Sequence, residues 1–253
     1  MYKSFIVIIA SLWLMSCSDT NESDTAIGKA APRKSRQSLQ DANTQEPLNI
    51  KWDSIVGQQK PGEDQTSAAY KPTFFVSKND IVLGNADSKV VLVEYFSPTC
   101  PHCAYYHKVI LPELKKKYID TNKIAYVIRE FIGNKQDLDA AILARCQHDT
   151  ECFVKFHTVI LDQQEKWVGS SKYRDLLTNM GQIGGVSPET YAKCLNDNEM
   201  IEILFSNTNL ASGAKGFVGT PAFFINGIQI KEGYGLDILS KFIDRELAKN
   251  AAE

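Results

Sequence analysis

Apolar residues are unevenly distributed along the chain. Phe5 to Met15 is an almost unbroken apolar run behind Lys3, residues 18 to 72 hold few large apolar side chains, and regular patterning begins near Thr73 and continues to about Lys249. Within that stretch Phe74-Phe75-Val76 and Ile81-Val82-Leu83-Gly84 read as short strands. Val90 to Phe96 is a β-branched and aromatic run with Glu94 as its only charge, as expected of a central strand covered on both faces. The period then changes: Cys103, Tyr106, His107, Ile110, Leu114 and Tyr118 recur at three and four, which predicts an amphipathic helix that Pro112 should kink. Lys123 to Ile132 alternates as a second strong strand, so Val90 to Ile132 forms a βαβ unit with parallel strands and a right-handed crossover.

Residues 137 to 213 lose strand character and show helical stripes, the clearest being Phe153, Phe156, His157, Ile160 and Leu161. Ser187-Pro188-Glu189 opens one of these helices, with Ser as cap and Pro at the first helical position. Strand patterning returns at Ala222 to Ile225, turns at Asn226-Gly227, resumes at Ile228 to Lys231, and gives way to a closing helix from Gly235 to Lys249. The order β-β-α-β, helical block, β-β-α predicts an α/β core interrupted by an all-helical insertion.

The leading apolar run is too short for the ~20 residues of a membrane-spanning helix and reads as the apolar region of an export signal. Leu14-Met15-Ser16-Cys17 resembles a bacterial lipobox, in which Cys17 would become a lipidated N-terminus, although Met15 stands where a small residue is usual. The alternative is an ordinary secretory signal with an incidental cysteine. Either reading exports the chain to the periplasm, lipid-anchored to a membrane if Cys17 is modified, where disulfides persist. Residues 18 to 72 cannot bury enough surface to offset chain entropy and read as a flexible linker. Its charges, Asp19, Glu22 and Asp24 followed by Lys29, Arg33, Lys34 and Arg36, suit a solvated tether.

Composition adds little except through the cysteines. The chain has 253 residues, 43 % apolar and 23 % charged, with a formal charge of -2 and pI near 6.1, which supplies no positive excess for nucleic acid. Six cysteines are too few for a disulfide-built scaffold, so each invites its own explanation.

Cys100-Pro101-His102-Cys103 follows a predicted buried strand and opens a predicted helix. Unpaired N–H groups and the dipole at a helix N-terminus stabilise an anion, so the first sulfur ionises more readily than a free thiol, and the thiolate is the reactive form. Cys100 should be exposed and Cys103 more buried, and two cysteines at i, i+3 can close a disulfide within one turn. His102 adds a donor and some positive charge near the Cys100 sulfur. A stabilised reduced form makes the disulfide a strong oxidant. A zinc site would need two further ligands, normally a second close pair, and Cys146 and Cys152 are not spaced as one. A purely structural bridge across one turn would close almost no loop. The residues therefore point to redox catalysis by sulfur alone, with no metal and no cofactor. Glu94 is costly in an apolar strand unless it has a task or a partner.

Leu83-Gly84-Asn85-Ala86, Val93-Glu94-Tyr95-Phe96-Ser97, the Cys100 to Cys103 motif and Gly219-Thr220-Pro221-Ala222-Phe223-Phe224-Ile225-Asn226-Gly227 together resemble the DsbA family of exported thiol:disulfide oxidoreductases. The resemblance implies a thioredoxin-like fold over residues 73–249, with a core of 73–135 and 214–249 and a helical insertion at 136–213. It implies a cis Pro221 facing the cysteine pair, with Thr220 binding an extended substrate segment, and it matches Glu94 to a buried acid that relays a proton to or from Cys103. It also implies a structural disulfide between Cys146 and Cys194. The cysteines other than Cys17 and the motif pair are odd in number, so one should stay free or pair transiently; Cys152 is the awkward one, and a Cys146–Cys152 pairing is the alternative, requiring a helix break near Asp149-Thr150. The implied partners are reduced exported proteins and a membrane-bound reoxidising protein. Threonine before the proline is shared with thioredoxins and isomerases, whereas the best-known oxidases of the family carry valine. An isomerase or reductase kept reduced, and a non-catalytic peptide-binding adaptor, are the competing functions. His148 and His157 read as a loop residue and a partly buried helix residue without metal-ligand company.

Overall fold

The computed structural model describes residues 76–251; the export signal, Cys17, the linker and Phe74-Phe75 lie outside them. Val76 belongs to no strand, which corrects the first strand expectation at its described end. The first strand, β1 (Ile81–Gly84), is followed by β2 (Val91–Phe96), β3 (Ala125–Glu130), β4 (Ala222–Ile225) and β5 (Ile228–Ile230). They form one sheet in the order β1-β3-β2-β4-β5, parallel only between β2 and β3. The βαβ reading is thus realised at the centre of the sheet.

The period of two in β2 decides what the site can reach. Leu92 and Phe96 pack into the larger core with Cys103, Tyr106, Tyr126 and Phe223, while Val93 and Tyr95 pack on the opposite face with Val127, Ala222 and Phe224. Alternation puts Glu94 on the Leu92 and Phe96 side, the side facing the crossover helix. That helix opens within the motif, as expected: α1 (Pro101–Tyr105) runs into a π-helical stretch at Tyr106–Ile110, then α2 (Leu111–Leu114) and a second π-helical stretch at Lys115–Ile119. Pro112 has no N–H to give and its ring crowds the preceding turn, so the ladder widens before it and the Leu111 N–H reaches the Tyr106 carbonyl. The expected kink is a widened turn.

Between β3 and β4 stand α3 (Lys135–Arg145), α4 (Thr150–Asp162), α5 (Gln164–Trp167), α6 (Tyr173–Ile183), α7 (Pro188–Cys194) and α8 (Asn198–Gly213); α9 (Leu236–Ala251) closes the chain. Side-chain caps start several of them: Asn134 accepts from the Asp137 N–H, Asp149 from Cys152, Ser187 from Thr190 and Asp197 from Met200. The hairpin turn uses positive φ at both Asn226 and Gly227, and the Asn226 side chain accepts from the Val91 N–H at 2.9 Å, tying the turn to the central strand. Among the described residues no helix is long and apolar enough to cross a membrane.

Candidate active site

Cys100 is the N-cap of α1, with extended backbone (φ -78°, ψ 120°), and Pro101 holds the first turn. The Cys103 and Ala104 N–H groups donate to the Cys100 carbonyl at 3.1 and 3.2 Å. Both cysteines are free thiols, Cys100 half-buried and Cys103 at 0 % exposure. The environment separates the two sulfurs. Hydrogen bonding from the Cys103 thiol leads the interactions that lower the Cys100 pKa to about 5, against the opposing effect of burial, with the Thr220 side chain and the backbone N–H groups of Cys103 and His102 adding to it. Burial, the neighbouring Cys100 sulfur and the Glu94 charge push Cys103 well above the ordinary thiol value.

The Thr220–Pro221 peptide is cis. The Thr220 carbonyl lies 3.2 Å from the Cys100 sulfur, which donates to it as a thiol. His102 serves the site differently from the sequence expectation: its backbone N–H bonds Cys100, while its ring Nδ1 lies 3.1 Å from the Tyr234 hydroxyl in the segment before α9.

Glu94 is fully buried beneath the pair and has partners that the sequence reading did not connect. His107 Nε2 lies 2.9 and 3.1 Å from its two oxygens, and the Tyr126 hydroxyl donates to it. Tyr126 Oη is also 3.2 Å from Tyr106 Oη. His157 Nε2 approaches both ring nitrogens of His107, at 3.0 and 3.2 Å, with the two rings edge to face at 4.2 Å between centroids. At 3 % exposure His157 is buried rather than partly buried, and it has a histidine for company. The signal existed: His107 follows Cys103 by one helical turn, and His157 lies on the apolar stripe of α4. What was missing was the contact between the two helices.

The helical insertion also grips the loop that carries Cys100. One Asp137 carboxylate oxygen accepts from Ser97 Oγ and from the Thr99 N–H, both at 2.8 Å, and the other accepts from the Gly133 N–H and Asn134 Nδ2, both at 3.0 Å. Burial raises the Asp137 pKa and these donors oppose the rise. Gln164 donates its amide to the carbonyls of Pro98 at 2.8 Å and Cys100 at 3.0 Å. Ser97 and Thr99 therefore hold the turn through Asp137, a residue sequence patterning had marked only as helical.

The comparisons with known proteins agree with this geometry. The family model described as Thioredoxin matches residues 76–245. A protein of Rickettsia typhi named as a protein-disulfide oxidoreductase is 48 % identical over 263 residues, covering 97 % of each chain. The chain belongs to the DsbA-like family of protein-disulfide oxidoreductases. It is a thiol-disulfide exchange enzyme, with the thioredoxin-like fold and inserted helices of that family. Disulfide bond formation protein D of Bacillus subtilis is 26 % identical over 177 residues, covering 67 % of this chain and 78 % of that protein. The crystal structure of alpha-DsbA1 from Wolbachia pipientis superimposes with a TM-score of 0.64 at 27 % identity, covering 70 % of this chain and 96 % of the other.

Away from the reactive pair, this DsbA-like chain carries a disulfide between Cys146, at the end of α3, and Cys194, at the end of α7, with Cα atoms 5.7 Å apart and 48 residues of sequence separation. Cys152 is disulfide-bonded as well, which corrects the expectation that one of the three remaining cysteines stays free or pairs transiently. The alternative Cys146–Cys152 pairing does not occur.

Proposed function

We propose that the enzyme works as an oxidase, donating the Cys100–Cys103 disulfide to reduced exported proteins. The observation that carries this reading is the separation of the two sulfurs, with Cys100 held near pKa 5 and Cys103 pushed well above the ordinary thiol value. A thiolate stabilised in the reduced enzyme favours reduction of the disulfide and so makes it oxidising. The name of the Bacillus subtilis relative, a disulfide bond formation protein, supports the same direction.

In this mechanism a substrate thiolate attacks the accessible Cys100 sulfur, the bond between the two enzyme sulfurs breaks, and Cys103 leaves as a thiolate that takes up a proton. A second substrate thiolate attacks the substrate sulfur of the mixed disulfide, forming the substrate disulfide and releasing Cys100 as a thiolate. Thr220 and Pro221 bind the substrate backbone beside the sulfur, in the manner of an added strand. Glu94 supplies and receives the Cys103 proton, and His102 holds the first turn and Tyr234. A membrane-bound partner reoxidises the pair. The export signal delivers the enzyme to the periplasm.

Equilibration with glutathione, followed by assays on reduced and on scrambled substrate, tests the direction. An oxidase oxidises the reduced substrate rapidly and rearranges the scrambled one poorly; the reverse ranking establishes an isomerase. Fatty-acid labelling separates the two readings of the leader: an unlabelled wild-type chain establishes an ordinary signal peptide, and labelling that disappears in Cys17→Ser, with oxidase activity retained in vitro, establishes a lipid anchor.

A further inference from the structure

Tyr234 stands in the short segment between β5 and α9 and reaches the first turn of the reactive helix. Gly233 before it has φ +127°, in the region that side chains avoid, so the chain turns there and delivers the Tyr234 ring onto α1. The ring meets Tyr106 edge-on at 6.3 Å between centroids and, like Cys100, lies partly buried against the core. Its hydroxyl is 3.1 Å from His102 Nδ1. The centroids of the two rings are 6.4 Å apart, farther than a hydroxyl resting over the imidazole face would allow, so the oxygen sits off the ring edge, where the Nδ1 lone pair or N–H points.

Burial, followed by the charges of Cys100, Tyr105 and Cys103, pushes the Tyr234 phenol up, so the hydroxyl keeps its proton and can donate to a neutral imidazole. With Tyr106 and His102, these are the titratable groups that face it from the motif and its helix; Lys231, Glu232 and Asp237 flank it on its own segment. His102 has two ways to act on Cys100. Its backbone N–H points at the sulfur whatever the ring does. The ring would add positive charge beside the thiolate only when turned towards it, because the attraction falls with separation. Nδ1 is instead engaged by a different element, and among the described residues neither ring nitrogen is hydrogen-bonded to the Cys100 sulfur.

We propose that Tyr234 is a positioning residue that limits how strongly the disulfide oxidises, by holding the His102 ring away from the Cys100 sulfur. Loss of the hydroxyl frees the imidazole to turn towards the thiolate, where it adds a donor and, on protonation, a positive charge. The reduced form gains, and the disulfide becomes the stronger oxidant. The effect lies in the exchange chemistry itself and is the same whether the enzyme acts as an oxidase or a reductase, so its test does not depend on the direction of electron flow.

Tyr234→Phe removes the hydroxyl and keeps the ring against Tyr106. Two quantities are read on the full-length protein: the midpoint of Cys100 alkylation in the reduced enzyme, and the equilibrium of the cysteine pair with glutathione. The midpoint should fall by about half a pH unit or more, and the equilibrium should move about threefold or more towards reduced enzyme, since one pH unit corresponds to a factor of about ten. In a His102→Leu background the hydroxyl has no ring to hold, and Tyr234→Phe should change neither quantity. An unchanged or raised midpoint in the single variant overturns the proposal, a rise meaning that the phenol itself donates to the thiolate. An equal fall in the His102→Leu background also overturns it, because Tyr234 would then act on the sulfur without the imidazole. Carbon-13 relaxation of the His102 ring in the reduced wild type needs no substitution: one rigid orientation is expected, and a ring that reorients freely defeats the proposal while leaving the exchange mechanism standing.

Discussion

The molecule holds two cysteine pairs that differ in almost every physical respect except their chemistry. Cys100 and Cys103 lie one helical turn apart, at the point where a strand gives way to a helix, and their sulfurs have opposed acidities. Cys146 and Cys194 are 48 residues apart, buried, and join the ends of two helices of the insertion. Closing one turn removes little freedom from the unfolded chain, so the first bond contributes little to stability and can be made and broken at small structural cost. Closing a loop of 48 residues removes much more, about 3–4 kcal/mol in the chain-entropy treatment. Reactivity therefore follows from where a pair sits, and permanence from how much chain it closes.

The sharpest way to break this contrast is to trap intermediates. Cys103→Ala should accumulate mixed disulfides with exported proteins and Cys100→Ala none, as read by non-reducing electrophoresis; equal trapping would remove the distinction between the two sulfurs. Next in size is the double change Cys146→Ala with Cys194→Ala, expected to cost about 3–4 kcal/mol in denaturant unfolding while leaving trapping by the reactive pair intact. Loss of thiol exchange in a folded double variant would show that the second pair takes part in the chemistry.

Asp137→Asn weakens the grip of the insertion on the Cys100 loop. The amide cannot accept all the bonds that the carboxylate does, so about 1–3 kcal/mol of stability should go, together with roughly a tenfold fall in the exchange rate from misplacement of the sulfur. An unchanged rate in the folded variant would mean that the turn holds itself.

Acidity offers a finer test. The Cys100 pKa in the folded reduced enzyme is lowered from 9.0 to about 5, so the stabilisation it gives is complete above the unfolded value and is lost as pH falls through about 5. The reduced enzyme should melt above the oxidised one at neutral pH, the gap should close on acidification towards pH 5, and alkylation of Cys100 should show its midpoint near the same pH. The smallest effect belongs to His102→Leu. Because the backbone N–H that faces the sulfur survives the change, the Cys100 midpoint should rise by less than about one pH unit, the loss coming through Tyr234 and the first turn; a rise of several units would return the imidazole to a direct electrostatic role.

Much of this was legible in the chain. The strand and helix periods located β2, β3, the crossover helix and the insertion, and Cys100-Pro101-His102-Cys103 at their junction located the chemistry. Pro112 announced an irregularity but not its form, since a missing N–H can be accommodated by a bend or by a widened turn. His157 read as one more member of an apolar stripe, and Asp137 and Gln164 as polar residues of helices. Their partners are Ser97, Thr99, Pro98, Cys100 and His107, each dozens of residues away.

The division follows from the range of the forces involved. Periodicity, caps, turn chemistry and the position of a cysteine at a helix N-terminus act over a few residues, so the sequence by itself determined the elements, the reactive motif and the thiol that would ionise. The Glu94–His107–His157 contacts, the hold of Asp137 and Gln164 on the active-site loop, and the direction taken by the His102 ring arise where α3, α4, α5 and the Tyr234 segment meet the sheet, the active-site loop and the crossover helix. Only the packing of those elements decided them, because a buried polar group is satisfied by whatever partner the fold brings within hydrogen-bond distance, and sequence separation places no limit on which partner that is.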